Sequence, residues 1–289
     1  MKKMMYIGLI LGALTAMSCT SEVKHDNFSC KIGKLEIITL VEAERDGNAG
    51  ILIGADEDIL NKYIPADGFK HTANAFLVKG AGQIVLIDTG TGADDIIINK
   101  IKGLGIKLED INTVIITHLH GDHFGSLQRD GNAVFPNATV YLSANELEYF
   151  TVTNPNENAI KALAPYSSKT VTFEPGELGS DQLNEILPGI TPIAAYGHTP
   201  GHTIFQIQND NEKFLIIADL LHVALVQFPI PEISAIYDVD PEAAAAIRRQ
   251  VLAYAAENKI PIGGMHIVNP GAGNVEADGS GFKFVPFKL

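Results

Sequence analysis

Thr117-His118-Leu119-His120-Gly121-Asp122-His123 follows directly on the apolar run Val114-Ile115-Ile116. The run reads as a buried strand, with the histidines standing where it ends. In extended backbone, residues two apart point to the same side, so His118 and His120 reach one ion together. Gly121 is expected to let the chain turn sharply. Asp122 and His123 then face back into the same cavity from the start of a helix. Seven residues thus offer four ligands to two adjacent sites. Imidazole and carboxylate suit zinc, and manganese and iron accept them too. A solvated loop has no need of the apolar strand before it, and core histidines rarely cluster in this way.

Three further segments lie downstream. Gly197-His198-Thr199-Pro200-Gly201-His202 follows a strand expected to end at Tyr196. Ile216-Ile217-Ala218-Asp219 ends an apolar strand in a carboxylate, and Gly263-Gly264-Met265-His266 ends another. A lone histidine or a strand-end aspartate is usually structural; these gain meaning from their order after the first motif. Short Val-, Ile- and Thr-rich segments recur at residues 34–40, 75–79, 83–87, 113–116, 139–142, 170–173, 193–196, 203–208 and 213–217, bounded by Gly, Asp, Asn or Pro. Helical patterns fall at 94–104, at 144–150 after Ser143 as N-cap, and at 241–257 after Asp240 as N-cap, with Pro241 in the first turn. Runs of strands, then helices, then strands again point to an α/β sandwich rather than a doubly wound sheet. Residues 31–289 read as a single domain, with an insertion at about 41–70 that carries a short helix near 58–63. That insertion is either a lid or a solvated surface excursion.

In this order the segments resemble the metallo-β-lactamase superfamily, whose fold is a four-layer αββα sandwich with a dinuclear site at one edge of two packed sheets. The resemblance implies His118, His120 and His198 on a first metal. It implies Asp122, His123 and His266 on a second, with Asp219 bridging. Two divalent ions follow, zinc first, with Mn2+ or Fe2+ as alternatives. Val85-Leu86-Ile87-Asp88-Thr89-Gly90 resembles the family's buried aspartate turn, in which Asp88 accepts a hydrogen bond from a ligand histidine. The plainer reading of Asp88 is a turn former before Gly90. His202 is read as supporting its loop rather than binding metal.

A narrower resemblance rests on Asp219-Leu220-Leu221-His222-Val223, Val226-Gln227-Phe228-Pro229, Tyr237-Asp238-Val239-Asp240-Pro241 and Phe135-Pro136-Asn137-Ala138. These look like the methyl parathion hydrolase branch, which is related to the acyl-homoserine lactonases. Many of those lactonases carry a tyrosine three residues after the bridging aspartate. His222 stands there in this chain, which leans the reading toward the organophosphate-hydrolase side.

The resemblance implies a hydrolase. Two cations sharing one water lower its pKa from about 15.7 to near 7, and the bridging hydroxide attacks a carbonyl carbon or a phosphorus. Asp122 orients that nucleophile, and His222 either donates a hydrogen bond or a proton or is a structural neighbour. The expected substrate is a small molecule: an ester or lactone with an apolar portion, phosphotriesters being at best a side reaction. Tyr63, Phe69, Phe124 and Phe228 are candidate pocket walls and equally candidate core residues. No G-x-S-x-G elbow is present. A cysteine-ligand β-lactamase would need a thiolate where Asp219 stands, and a flavodiiron protein a glutamate where His120 stands. A persulfide dioxygenase with one iron keeps the same histidines and stays open. So does a non-catalytic metal-binding lipoprotein, against which the full ligand set argues.

The formal net charge of −13 repels phosphate backbones and anionic headgroups, so nucleic acid is not an expected partner. A homodimer is left open. Met1-Lys2-Lys3, the apolar stretch that follows and Ala16-Met17-Ser18-Cys19 read as a signal peptide over residues 1–18, too short to span a bilayer as a helix. The favoured outcome is an exported lipoprotein with lipid on Cys19 as its only membrane attachment; the other is cleavage after Ser18 to a periplasmic protein. Residues 19–30 read as a polar tether. Without lipid on Cys19, a Cys19–Cys30 disulfide is open to an exported chain. His25 and His71 have no motif around them and read as surface histidines.

Overall fold

Strands that are apolar on both faces must be covered on both, and that requirement builds the layers of this molecule. The computed structural model describes residues 27–42, 44–180 and 182–288. A first sheet holds Ser29–Ile32 (β1), Leu35–Leu40 (β2), Ala75–Gly80 (β3), Gln83–Ile87 (β4), Thr113–Ile115 (β5), Thr139–Ser143 (β6) and Thr170–Phe173 (β7), side by side in chain order. β1 to β4 pair antiparallel, and β4 to β7 pair parallel. A second sheet holds Ile190–Ala194 (β8), Thr203–Asn209 (β9), Glu212–Ile216 (β10), Ile262–Gly263 (β11), Ala272–Asp278 (β12) and Gly281–Pro286 (β13), again in chain order. Within it β10 and β11 are parallel, and the other pairs are antiparallel.

Alternation along each strand sorts the side chains into three cores. Phe76, Val78, Val85, Ile87 and Ile115 of the first sheet meet Phe205, Ile207, Phe214 and Ile216 of the second. The intervening residues Leu77, Leu86 and Val114 face outward onto Ile97, Ile101 and Leu163. Ile204, Leu215 and Ile262 face outward onto Val251, Leu252 and Ala255. The covering helices are among Glu57–Tyr63 (α1), Ile96–Gly103 (α2), Gly121–Phe124 (α3), Ala144–Glu148 (α4), Glu157–Leu163 (α5), Ala224–Gln227 (α6) and Pro241–Asn258 (α7). α2 connects the parallel strands β4 and β5, and α7 connects β10 and β11. Helix, sheet, sheet, helix is the expected αββα sandwich. Each fully buried Val, Leu, Ile or Phe contributes about 1.5–3 kcal/mol over an exposed one, so the inter-sheet layer is the main source of rigidity.

Several local expectations need correction. Phe28 and Cys30 are buried, and β1 begins at Ser29, so the residues just before 31 belong to the first sheet rather than to a tether. The second helix starts at Ile96, because Asp94 and Asp95 have φ of 51° and 53°, outside helical backbone. The Ser143 side chain makes no capping hydrogen bond to α4. The segment expected as a strand over 193–196 lies in β8, which ends at Ala194. The hairpin β12–β13 carries charged and glycine residues that mask its period-two pattern. The insertion is not a solvated excursion: Ile51, Leu52, Ile59 and Tyr63 pack on Val223, Val226 and Ile233. Residues 1–18, Cys19 and His25 lie outside the described residues. No helix among the described residues is long and apolar enough to cross a membrane.

The Asp240 side chain accepts from Ala243 N at 3.0 Å and caps α7, with Pro241 in the first turn as expected. Asp240→Ala should cost about 1 kcal/mol, and Tm should fall by about 2–4 °C. Thermal unfolding of the full chain checks this; an unchanged Tm would show that the cap contributes nothing.

Candidate metal centre

Four strand ends meet at one edge of the sandwich. Beyond β5 come His118, His120, Asp122 and His123. Beyond β8 comes His198, beyond β10 Asp219, and beyond β11 His266. His118 Nε2, His120 Nδ1 and His198 Nε2 converge, with separations of 3.1, 2.9 and 3.2 Å. A tetrahedral ion with ligands at about 2.0–2.1 Å requires nitrogens about 3.3 Å apart. Three ring nitrogens at this spacing cannot satisfy one another, since each pair shares at most one proton. Burial holds His198 down at about 3 and His118 well below the usual imidazole range, so both rings present lone pairs.

Asp122, His123, Asp219 and His266 form a second group. His123 Nε2 lies 3.6 Å from Asp122 Oδ1 and 3.3 Å from Asp219 Oδ1. His266 Nε2 lies 3.0 Å from Asp219 Oδ2 and 3.6 Å from Asp122 Oδ2. Asp219 also reaches the first group, with Oδ2 at 3.5 Å from His198 Nε2 and 3.7 Å from His118 Nε2. His123 Nε2 and Asp219 Oδ1 are buried, face each other and are aligned too poorly for a hydrogen bond. Such orphaned buried atoms are what a bound cation resolves. Burial opposes the charged form of Asp219, yet His123, His266 and His118 outweigh it and hold the carboxyl well below its ordinary range. Burial likewise opposes a charged His266, yet Asp219 and Asp122 lift that ring to about 9. The donor set fits divalent ions.

The outward-facing nitrogens are fixed in turn. His123 Nδ1 meets Asp88 Oδ2 at 2.7 Å, and the same carboxylate accepts from Thr117 N at 2.9 Å and Thr117 Oγ1 at 2.8 Å. His266 Nδ1 donates to Thr72 O at 2.7 Å, and His198 Nδ1 meets Asp238 Oδ1 at 2.8 Å. His202 stands in neither group. Its Nδ1 donates to Ala195 O at 2.8 Å and its Nε2 accepts from Asp219 N at 3.1 Å, so it holds the Asp219 backbone. Gly121 has ordinary backbone and open space where a Cβ would lie, so no sharp turn depends on it. Glycine is required instead in the His198 loop, where a Cβ would sit 2.2 Å from Ala244 N at Gly197, whose φ is 133°, and 2.2 Å from Glu146 N at Gly201.

A cavity of about 430 Å³ opens onto both groups through His120, Asp122, Asp219 and His266. His222 lines it, with Nε2 3.4 Å from Asp219 Oδ2 and its ring stacked on His266 at 5.2 Å. Phe69 also lines it, and Tyr63 lines an adjoining cavity of about 1000 Å³ that shares Phe69, His222 and His266. Phe124 lines neither; it is buried in the outer core of the first sheet, where its helix α3 meets α5. Phe228 is chiefly core, stacked on Phe284, with an edge at the larger cavity. His71 is not a plain surface histidine. It lines the smaller cavity beside His266, at 5.1 Å between rings. Asp238, Glu146 and Asn74 were not singled out by the sequence. Asn74 donates to Gly264 O and Ile267 O and so fixes the loop that carries His266. The Glu146 carboxyl is fully buried, which pushes it up to about 7, while hydrogen bonds from Thr199, Leu119 and Gly201 pull the other way.

A family model described as the metallo-beta-lactamase superfamily matches residues 69–258, more than half of the chain. The chain belongs to this superfamily. Among curated relatives of this superfamily member, an N-acyl homoserine lactonase of Bacillus sp is 28% identical over 117 residues, which is 40% of this chain and 41% of that protein. The match therefore spans less than half of the relative's length. Among solved structures, the hydrolase AbOPH, described as in the beta lactamase superfamily, superposes with a TM-score of 0.79 at 28% identity, covering 91% of this chain and 98% of that one. AidC, described as a dizinc quorum-quenching lactonase in complex with a product N-hexanoyl-L-homoserine, gives 0.80 at 25% identity with the same coverage. AidC and the Bacillus relative are described as lactonases and AbOPH only as a hydrolase, whereas His222 leans the sequence reading toward the organophosphate-hydrolase side.

Asp88→Asn replaces an acceptor by an amide donor that must face either Thr117 or His123. Metal affinity should fall about 10–100-fold. Titration of the metal-free chain with Zn2+ measures this; wild-type affinity would remove Asp88 from the site.

Proposed function

We propose that the chain is a metal-dependent hydrolase that cleaves a lactone or ester with an apolar portion, with phosphotriesters as a side activity. The observation that carries this reading is the Asp219 carboxylate at the wall of a cavity, which belongs to the second donor group, joins His198 and His222 in a third, and stands 3.5 and 3.7 Å from His198 and His118 of the first. Two divalent ions held there, zinc first among them, would supply Lewis acidity and an activated water. Asp122, with its side chain 34% exposed against 3% for Asp219, is the more open of the two carboxylates that line the cavity, and it would accept a hydrogen bond from the attacking water and orient it. His222 donates from Nε2 to the substrate oxygen on which charge develops. Ile51, Phe69, Val223 and Tyr237 wall the reacting end, and the larger cavity past His222 and His266 takes the apolar remainder. AidC, with its acyl-homoserine product, favours a lactone over other esters.

Purified protein should contain close to two divalent ions per chain by elemental analysis. His120→Ala and Asp219→Ala should each lose metal and lactonase activity together. A single tightly held iron with persulfide oxidation would replace the hydrolase reading by the dioxygenase one.

His222→Phe should keep both ions and the shape of the cavity, yet lower kcat on the order of 10-fold or more, the loss of one hydrogen bond to a developing charge. Steady-state kinetics with lactones, aryl esters and phosphotriesters, run beside metal analysis, measures the effect. An unchanged kcat/KM with intact metal content would take His222 out of the reaction.

A further inference from the structure

Glu146 lies in α4, outside both donor groups and away from the cavity, and its side chain is fully buried. Its Oε1 accepts from Leu119 N at 2.7 Å. Its Oε2 accepts from Thr199 Oγ1 at 2.7 Å and from Gly201 N at 3.0 Å. Leu119 stands between His118 and His120 on the first sheet's side. Thr199 and Gly201 follow His198 on the second sheet's side. One carboxylate therefore spans the gap between the two backbone segments that carry the first donor group.

We infer that Glu146 is a positioning residue for the first metal site, setting the spacing between the His118–His120 segment and the His198 loop from outside the ligand set. The inference rests on reading the two groups as a metal centre. Three features single out this side chain. Both of its oxygens are used, by donors from loops that follow strands of two different sheets. Gly201 lacks a Cβ at the point where one would collide with the Glu146 backbone, so the loop can approach closely enough for the bond. The second group has separate supports, Asp88 for His123 and Thr72 O for His266, so a change at 146 acts on one site of the pair. Glutamine fits the same space but offers a single acceptor oxygen. Its amide nitrogen must then confront either Leu119 N–H or the Thr199 and Gly201 donors, leaving buried donors unpaired.

The test uses the full chain and two readouts. In the metal-free protein, hydrogen exchange of Glu146→Gln should speed up about 10-fold or more in peptides covering 117–123 and 197–202 together, while the peptide covering 263–267 keeps the wild-type rate. In Co2+ titrations followed by visible absorption, the affinity of one site should fall about 10–100-fold and that of the other should hold. Thr199→Val, which removes one of the three donors, should give a smaller effect of the same kind, and Thr199→Ser should restore the wild-type behaviour. This pair carries the test if Glu146→Gln does not fold. Wild-type exchange in both loops, or equal loss of affinity at both sites with general deprotection, would overturn the inference. A wild-type chain that binds a single ion would overturn the dinuclear reading, while the exchange experiment, which needs no metal, still decides the role of Glu146.

Discussion

The Asp219 carboxylate is 2% exposed and stands 3.0 to 3.7 Å from nitrogens of His118, His123, His198, His222 and His266. A buried carboxylate without compensation is among the costliest things a fold can hold. Compensation here comes from side chains on four separate strand ends, so the backbone of both sheets must be fixed to a fraction of an ångström. That requirement explains why β4, β5 and β10 are closed to water on both faces at the ends nearest the site. It also gives a reason for Ala218, which has a φ of 47°, a conformation that costs a non-glycine residue on the order of 1 kcal/mol. The turn delivers the next residue, Asp219, between the donor groups, and the Ala218 methyl remains packed in the inter-sheet core.

Beyond the ligands the polar groups form a second tier with the same logic. Asp238 holds His198 and is itself met by Ala235 N and by Arg248, which is fully buried in α7 and also donates to Leu220 O, Pro231 O and Ile233 O. Gln227 accepts from His222 N and Val223 N and donates to Ile233 O. An unpaired buried donor or acceptor costs about 1–3 kcal/mol, so each of these side chains is coupled to its neighbours' protonation and geometry. Stability of the segment 219–238 and geometry of the site are therefore one problem. α7 serves both, through its apolar face on the second sheet and through the Arg248 guanidinium.

The residues of the candidate donor groups and the layer order are legible in the sequence because both rest on strong local patterns. Val85-Leu86-Ile87 and Val114-Ile115-Ile116 are continuous apolar runs, and each ends in a polar motif. What escaped was set by tertiary contact. Glu146 lies in a helical stretch with no motif around it, and only the folded chain brings Leu119, Thr199 and Gly201 onto it. His71 has polar neighbours and no motif, yet its two-residue strand pairs with Arg45–Asp46 and carries it to the cavity. Phe124 directly follows a ligand, which suggested the pocket, but one residue further along a helix points the side chain about 100° away, here into the core. Asp238 was quoted within a resemblance without a role; its partner His198 is 40 residues distant. The Asp122 and Asp219 positions needed no such contact to be read, because strand ends and helix starts fix where their side chains point.

The donor groups and the cavity walls differ in how they are built. Ligands sit at the ends of sheets with large cores on both sides. The walls come from residues 41–71 and 221–239, which pack through a small apolar cluster of Val223, Val226 and Ile233 with Ile51, Leu52, Ile59 and Tyr63. Short ladders hold them: Leu52–Ile53 with Ser234–Ala235 between the segments, extended by Ile236 N to Ile51 O, and Arg45–Asp46 with Lys70–His71 within the first. Half-buried contacts and short ladders make the 44–71 wall the less firmly held of the two, whereas 221–239 is fixed by Gln227, Asp238 and Arg248. Substitutions at Ile51 or Phe69 can therefore reshape the cavity without disturbing the sheets that carry the donor groups. His222 belongs to both regimes. It stands three residues from Asp219 with its backbone N–H fixed by Gln227, and its ring faces the cavity between His266 and Tyr237. A histidine there places a polar ring where the cavity wall meets the donor groups, so under the proposed function the residue at that position would couple substrate recognition to the metal site.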